Sequence, residues 1–355
     1  MGEIYLLRKE NIASWLQGLR SSARIIAPVW RAGELRFDYV SDLDEVVLGG
    51  HNTRRSPKWV FFPQAECMLR YGQKLDDYSQ VLAAPVDETP QILLGVSPCD
   101  ARSFVLLDRV FGQGVYRDPY YLAKRNHTLV VTMACERPTS TCFCQSFDSG
   151  PADTNGADII LHPAIEAYLV EAVSERGAEE LGRWQLPSAE AESIAQARTI
   201  EAEAVQRLRP MAPMAGIEEE LARLWDSGLW REVAEKCIAC GTCTYNCPEC
   251  HCFNIEDRQL ATEGERLRGW DACMYPQFTQ HASGHNPRPD QAARWRQRIN
   301  HKFEYLPHNI GLFGCVGCGR CIVSCPVRLD IRQVLQRVRS EALAQVGTTA
   351  EKGLR

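Results

Sequence analysis

Short apolar runs alternate with amphipathic stretches along the first half of the chain. Runs of this kind, bounded by Gly, Pro or Asp, predict buried strands, and they are Ile25–Trp30, Lys58–Phe62, Ile92–Val96, Thr128–Met133 and Ile159–His162. The stretch Ala101–Val110 has helical character, and Asp100 precedes it as a candidate N-cap. Because alternating strands and helices favour a mainly parallel sheet, we expect an α/β domain over residues 1–185.

The second half of the chain has a different pattern. Residues 186–235 are rich in Ala, Glu, Leu and Arg and predict a helical linker. Residues 236–335 hold most of the cysteines, and we expect an α-helical, ferredoxin-like domain there. Apolar residues recur at helical spacing from Asp330 to Gln345, and Gly347–Arg355 has the composition of a loose tail. Residues 336–355 are therefore predicted to be the end of a C-terminal helix followed by a tail.

Composition limits the classes of function. The 355 residues are 45% hydrophobic and 24% charged, with a formal net charge of −5, as in an ordinary globular protein. No basic stripe is interleaved with aromatic residues, so we do not expect nucleic acid as a partner. No apolar run approaches the roughly 18 residues of a membrane-spanning helix, and the first residues lack the pattern of a secretory signal. We therefore expect a cytoplasmic location without membrane insertion.

Sixteen cysteines point to metal binding, because the cytoplasm keeps thiols reduced and does not favour structural disulfides. The pattern C-x2-C-x2-C-x3-C-P occurs twice, in residues 237–248 and 315–326, with a Gly after the second Cys in both. In two-cluster ferredoxins this pattern binds 4Fe-4S clusters, and the fourth cysteine of each copy ligates the cluster of the other copy. We therefore predict one cluster on Cys237, Cys240, Cys243 and Cys325, and a second on Cys315, Cys318, Cys321 and Cys247.

Two other metal groups also fit parts of this pattern. A structural zinc site uses pairs of C-x2-C, but it does not require a third and a fourth cysteine followed by Pro, twice over. The segment Cys247-Pro-Glu-Cys250-His251 satisfies the haem-attachment pattern C-x2-C-H. Haem attachment normally takes place outside the cytoplasm, and Cys247 is already assigned to a cluster, so iron-sulfur clusters are the better interpretation.

A second group of cysteines follows the predicted strands. Cys99 comes after Ile92–Val96 and Cys135 after Thr128–Met133, and carboxyl ends of parallel strands are where open α/β sheets bind ligands. Two more cysteines follow in Thr-Cys-Phe-Cys. The hypothesis is a third cluster on Cys99, Cys135, Cys142 and Cys144; the alternative is that these residues are packed thiols.

The remaining cysteines and histidines carry weaker signals. Cys250, Cys252 and Cys273 lie between the two motifs, and they can either hold a further metal centre with one more ligand or pack in the interior. Cys67 has no partner pattern and is interpreted as a packed thiol. His281 and His285 can tune a cluster through N–H···S hydrogen bonds or lie at the surface.

The ordered motifs resemble a known family. They are Gly95-Val-Ser-Pro-Cys99-Asp100, Ala134-Cys135, Thr141-Cys142-Phe-Cys144, the first cluster motif with Pro248-Glu-Cys250-His-Cys252-Phe, Trp270-Asp-Ala-Cys273, Ala282-Ser-Gly-His-Asn-Pro-Arg-Pro289 and the second cluster motif. This set is similar to the iron-sulfur beta subunit of cytosolic sulfhydrogenases, which are NAD(P)-linked NiFe hydrogenases, and to the corresponding iron-sulfur subunit of anaerobic sulfite reductase. The resemblance implies a subunit of anaerobic metabolism that relays electrons between a flavin subunit oxidising NAD(P)H and a hydrogenase or sulfite reductase subunit. It also implies metal ligation beyond the two motifs.

Alternatives to an electron relay remain open at this point. The chain has no G-x-G-x-x-G after a strand, no P-loop and no nucleophile elbow, so no catalytic residue is predicted. One alternative is a self-contained reductase that binds a flavin or a substrate in the α/β domain. The other is an iron-sulfur sensor or scaffold, although no nucleic-acid-binding helix pair accompanies the clusters.

Overall fold

Two β-sheets and a cluster of helices make up the computed structural model, which describes residues 3–49, 52–74, 77–209 and 211–352. The strands are β1 (Tyr5–Arg8), β2 (Arg24–Arg31), β3 (Glu34–Tyr39), β4 (Ala65–Lys74), β5 (Asp77–Ala83), β6 (Gln91–Val96), β7 (Thr128–Met133), β8 (Ile159–Pro163), β9 (Ala167–Ala172), β10 (Phe253–Leu260) and β11 (Glu263–Trp270). The α-helices are α1 (Ile12–Ser22), α2 (Pro98–Gly112), α3 (Pro119–Asn126), α4 (Glu175–Trp184), α5 (Ala191–Arg207), α6 (Ile217–Arg223), α7 (Leu229–Ala234), α8 (Thr242–Tyr245), α9 (Gln291–Asn300), α10 (Leu306–Ile310), α11 (Arg320–Val323) and α12 (Ile331–Lys352).

The larger sheet has the strand order β1-β9-β8-β7-β6-β2-β3 and is mixed. Its central strands β2, β6, β7 and β8 are parallel, whereas β1, β9 and β3 pair antiparallel at the edges. The prediction of a mainly parallel sheet therefore holds only for the centre. Tight hairpins, β2–β3 and β8–β9, return the chain along its neighbour and add the antiparallel pairs. Helix α1 covers one face of this sheet, and α2 and α3 cover the other.

The structure bears out four of the five predicted strands, which lie within β2, β6, β7 and β8. The strand predicted at Lys58–Phe62 is wrong, because Pro57–Val60 forms a 3₁₀ helix whose N-cap, Ser56, accepts a hydrogen bond from the Lys58 amide. Phe61 and Phe62 are fully buried, so burial in the core explains the apolar run without a strand. Asp100 is not the N-cap of α2: the helix begins two residues earlier and Ser97 occupies the cap position.

The smaller sheet joins two distant parts of the chain. Its order is β10-β11-β4-β5, and all its pairs are antiparallel. The hairpin β4–β5 comes from the α/β part, and the hairpin β10–β11 lies between the two cysteine motifs. The C-terminal part is therefore not purely α-helical as predicted. In the separate hairpins, β4 and β11 would each have an unpaired edge. Pairing of β4 with β11 covers both of these edges.

Helices that follow the larger sheet divide between the two cores. Helix α5 packs on β8 and β9, whereas α6, α7, α9 and α12 enclose a second core with Leu221, Trp230, Trp295 and Leu335. Helix α12 extends to Lys352, so most of the predicted loose tail is helical, and residues 353–355 lie outside the described residues. None of the helices in the described part of the chain combines the length and apolar character needed to cross a bilayer.

A buried cation links the smaller sheet to helix α3, which covers one face of the larger sheet. Arg268 of β11 is 4% exposed and forms ion pairs with Glu66 of β4, at 2.6 Å, and with Asp118, the N-cap of α3. Its guanidinium also lies 5.2 Å from the centre of the Phe62 ring. Removing one partner of such a buried network leaves the other charges unpaired, which costs about 3–5 kcal/mol.

We predict that Arg268→Ala lowers the free energy of unfolding by about 3–5 kcal/mol, because buried Asp118 loses its cation and Glu66 keeps only Lys124. Urea denaturation of the anaerobically purified chain measures the change. The control is Arg266→Ala on the same strand, which removes an exposed pair with Asp257 and should cost only about 0–1 kcal/mol. Equal effects of the two substitutions would contradict the role of the buried network.

Candidate metal centres

The two cysteine motifs have the same local conformation. In each, the loop of the first two cysteines ends at a glycine with left-handed φ, 71° at Gly241 and 74° at Gly319, and a short helix carrying the third cysteine follows. A Cβ atom at Gly319 would lie 2.6 Å from the carbonyl oxygen of Thr141, so no larger residue fits there. The fourth cysteine lies just after each helix. The repeated spacing thus produces a repeated loop.

The first predicted quartet lies around one cavity. Its lining contains all four of its members, Cys237, Cys240, Cys243 and Cys325, together with Trp295, Leu329, Arg298 and Cys321. Donors already face two of the sulfurs: the Gln291 amide lies 3.2 Å from Cys237 Sγ, and the Leu329 backbone N–H donates to Cys325 Sγ at 3.3 Å. Such N–H···S contacts stabilise the negative charge of a thiolate.

The second predicted quartet surrounds a separate cavity. Cys315, Cys318, Cys321 and Cys247 line it, with Phe143, Glu249, Arg298 and Lys302. Burial raises the pKa of Cys318 to about 12 and that of Cys321 to about 11. These thiols therefore stay protonated at neutral pH unless a metal displaces the proton. Cys321 lies between the two cavities.

Buried cations lie among these sulfurs. Arg298 lines both cavities, is 2% exposed, and donates from Nη2 to the carbonyl oxygen of Cys243 at 3.0 Å. Lys302, 4% exposed, donates from Nζ to Cys247 Sγ at 3.3 Å. Burial alone lowers the pKa of Lys302, but the charges of Cys247 and Cys250 outweigh it, so the pKa stands above its ordinary value. Neither cation has a carboxylate partner within 4 Å in the described chain, which leaves sulfur-borne charge to balance them.

The third predicted set lies beside the second quartet. Cys99 is in the first turn of α2 and Cys135 follows β7, so both lie at carboxyl ends of parallel strands as predicted. The Asn52 side chain bridges the set, with Cys99 Sγ 3.6 Å from its oxygen and Cys142 Sγ 4.0 Å from its nitrogen. Burial raises the pKa of Cys135 to about 12, and the charges of nearby Cys142 and Cys144 contribute to this increase.

Backbone contacts hold the third set against the second motif. The Phe143 N–H donates to the carbonyl oxygen of Gly317 at 2.8 Å, and Cys142 Sγ lies 3.9 Å from the carbonyl oxygen of Cys318. A buried ion pair reinforces this contact, because Arg320 donates two hydrogen bonds to Asp100, at 2.6 and 2.7 Å. Arg320 directly precedes Cys321 and Asp100 directly follows Cys99. The α/β part and the cysteine motifs are therefore one packed unit at this point.

The trio Cys250, Cys252 and Cys273 lines a further cavity, with Glu249, His251, His301, Arg298 and Lys302. A hydrogen bond from Cys252 lowers the pKa of Cys273 to about 5, although burial opposes this. Cys250 similarly donates to Cys247, which lowers the pKa of Cys247. The trio therefore adjoins the second quartet, and Cys273 adjoins Cys243 of the first.

Other predicted candidates lie apart from these cavities. Cys67 is in β4, and its Sγ lies 3.4 Å from the carbonyl oxygen of Leu69, in agreement with a packed thiol. His281 and His285 are exposed and their rings lie 5.4 Å apart. Within residues 3–49, 52–74, 77–209 and 211–352, no three Cys, His, Asp or Glu side chains are arranged to hold a single metal ion. Thiols that surround a wider cavity suit a cubane better than one zinc ion.

Sequence patterns did not identify the polar side chains that support the sulfurs. These are Asn52, Lys58, Arg298, Lys302 and Arg320. Only Arg320 lies within a motif. The other four come from loops and helices distant in sequence, and nothing in their neighbours distinguishes them from surface residues.

Comparisons with known proteins find matches to the region of the cysteine motifs and to most of the chain. The family model of the 4Fe-4S dicluster domain matches residues 236–329. Over 337 residues the chain is 32% identical to sulfhydrogenase 2 subunit beta of Pyrococcus furiosus, a match that covers 94% of this chain and 97% of the relative. No solved structure matches. The chain belongs to the sulfhydrogenase beta-subunit family, and its 4Fe-4S dicluster domain makes it an iron-sulfur electron-transfer protein.

Proposed function

We propose that this chain carries electrons between a flavin subunit that oxidises NAD(P)H and a catalytic subunit of the hydrogenase or sulfite reductase type. The observation that supports this most is the unbroken series of cysteine sets. The set of Cys99 contacts the second quartet, and the second quartet shares Cys321 and Arg298 with the first. Clusters so close together form a route for electrons through one rigid interior. A cytoplasmic location remains our expectation from the cysteine content.

The proposed ligands are crossed between the two motifs. Cys237, Cys240 and Cys243 share a cavity with Cys325, and Cys315, Cys318 and Cys321 share one with Cys247. This grouping supports the crossed assignment of two-cluster ferredoxins. The clusters would supply one-electron redox chemistry, while the surrounding side chains exclude water and balance charge. Crossing also ties both ends of the domain together.

Double substitutions test the crossed ligands. We predict that Cys240→Ala and Cys325→Ala each remove about four iron atoms per chain, and that the double variant loses no more than either, because both residues hold one cluster. Pairing Cys325→Ala with Cys318→Ala should instead remove about eight. Iron and acid-labile sulfide in the anaerobic, full-length protein give the counts. If Cys325→Ala and Cys318→Ala together cost only about four, the fourth cysteines are not crossed.

A third cluster is proposed on Cys99, Cys135, Cys142 and Cys144. The Asn52 bridge between Cys99 and Cys142, and the closeness of Cys135 to Cys142 and Cys144, support this set. It would extend the route of the two C-terminal clusters into the α/β part. The ion pair of Asp100 with Arg320 would fix its separation from the second cluster.

We predict that Cys142→Ala removes about four iron atoms per chain and leaves the interacting EPR signals of the two C-terminal clusters in place. The matched control is Cys67→Ala, which changes a thiol outside all the cavities and should leave iron unchanged. Full-length variants are needed, because β4 pairs with β11 and Asp100 with Arg320. Equal iron in Cys142→Ala and the wild type would show that these thiols only pack.

The delivery of electrons provides the functional test. We predict that dithionite reduces the clusters of the isolated chain, whereas NADPH does so only when the flavin subunit is added. Loss of the visible absorbance of the clusters measures the reduction. Rapid reduction of the isolated chain by NADPH would instead support a self-contained reductase.

One surface cleft supports the alternative of a self-contained reductase. The cleft is about 460 Å³ and is lined by Arg54, Arg55, Trp59, Trp270 and Tyr245, beside the loop of the first quartet. Arg55 pairs with Glu34 in this cleft, so Arg54 and the three aromatic rings are the groups that suit a planar anionic ligand such as a flavin nucleotide. Flavin absorbance in the isolated chain would favour this alternative over the relay.

A further inference from the structure

We propose that Cys250, Cys252 and Cys273, with His301 as fourth ligand, hold a fourth 4Fe-4S cluster. The inference rests on the proposed relay, because it places one more centre beside the two C-terminal clusters. The three thiols and the His301 ring line one cavity. Glu249, Arg298 and Lys302 line both this cavity and the cavity of the second quartet, so the two sites are adjacent.

Charge balance is the first argument for an anionic group in this cavity. Lys58 is 2% exposed, and its Nζ donates to the carbonyl oxygen of Cys250 at 2.7 Å and lies 4.2 Å from the centre of the Trp270 ring. Neither contact supplies a negative charge. No carboxylate lies within 4 Å of Lys58 in the described part of the chain, and the charges that favour its ammonium form are those of Cys250, Cys247 and Cys252.

A buried ammonium without a counter-charge is strongly unfavourable. Two of the three thiols that act on Lys58, Cys250 and Cys252, belong to the trio, and a cluster with thiolate ligands has net negative charge. Arg298 and Lys302 line the cavity of the trio, as does the buried carboxyl group of Glu249. With Lys58 beside Cys250, the buried cations outnumber this one carboxyl group, and the excess of positive charge fits an anionic cluster.

The backbone around His301 is the second argument. A π-helical turn over His301–Tyr305 connects α9 to α10, and such turns occur frequently at functional sites. The turn places His301 and Lys302 at this cavity. The ring nitrogens of His301 form no hydrogen bond within the described residues, so both are free to bind a metal, whereas His251 Nδ1 donates to the carbonyl oxygen of Glu249 at 2.9 Å.

The contacts of His251 also favour His301 as the fourth ligand. Nδ1 of His251 is already engaged by the Glu249 carbonyl oxygen. The His251 ring lies 6.1 Å from Phe111 and 5.6 Å from His301, so it packs at the wall of the cavity.

Iron content gives the first test, on the anaerobically purified full-length chain. Cys252→Ala should lose about four iron atoms relative to the wild type, and Cys67→Ala should lose none. His301→Cys should keep all the iron, because it retains four ligands. Unchanged iron in Cys252→Ala, or replacement of the lost metal by one zinc ion, overturns the proposal.

Nitrogen coupling gives a second test that a structural role would not affect. In protein labelled with ¹⁵N-histidine, pulsed EPR of the reduced clusters should show a strongly coupled imidazole nitrogen. His301→Cys should abolish this coupling and shift one reduction potential downward, since histidine ligation raises cluster potentials. His251→Ala should retain the coupling. If the nitrogen coupling persisted in His301→Cys, His301 would be excluded as a ligand, even if Cys252→Ala were too unstable to purify.

Iron content distinguishes failure of the fourth-cluster proposal from failure of the relay proposal. If Cys318→Ala removes a cluster while Cys252→Ala removes none, the relay stands without a fourth centre. If the wild-type chain binds no iron at any of its motifs, the relay itself is wrong.

Discussion

Burying thiolates requires buried positive charge, and four cations supply it in this chain. Lys58, Arg298, Lys302 and Arg320 are each between 2% and 4% exposed. Only Arg320 has a carboxylate partner, Asp100, within the described residues; the other three contact carbonyl oxygens, rings and sulfurs. Because a buried cation without an anion is unstable, the interior depends on negative charge at the sulfurs. The protein without its clusters should therefore be much less stable than the protein with them.

The same cations connect the sites. Arg298 lines the cavities of both quartets and of the Cys250 trio, so a change of charge at one site acts on the others through one guanidinium. At short range in a low dielectric, such coupling is far stronger than between surface charges. The reduction potentials of neighbouring clusters are thus expected to depend on each other.

Sequence patterns identify local features well and distant partners poorly. The repeated spacing indicates both clusters, and strands β6 and β7 with Cys99 and Cys135 at their ends are visible as apolar runs. The Lys58–Phe62 run is misleading because burial in a core gives the same apolar signal as a strand. The pairing of β4 with β11, and the approach of Lys58 to Cys250, leave no local trace, since each depends on residues more than a hundred positions apart. The mixed character of the larger sheet likewise depends on how its hairpins fold back.

The shared smaller sheet has a consequence for how the protein is made. Glu66 and Arg268 are 202 residues apart, so during translation β4 keeps an unpaired edge until β11 has been synthesised. Loops of this length close slowly, and an open edge invites pairing with other chains. Asp100 is separated from its partner Arg320 by a still longer stretch of chain. The packing of the cysteine motifs against the α/β part is therefore expected only after the second motif has been synthesised.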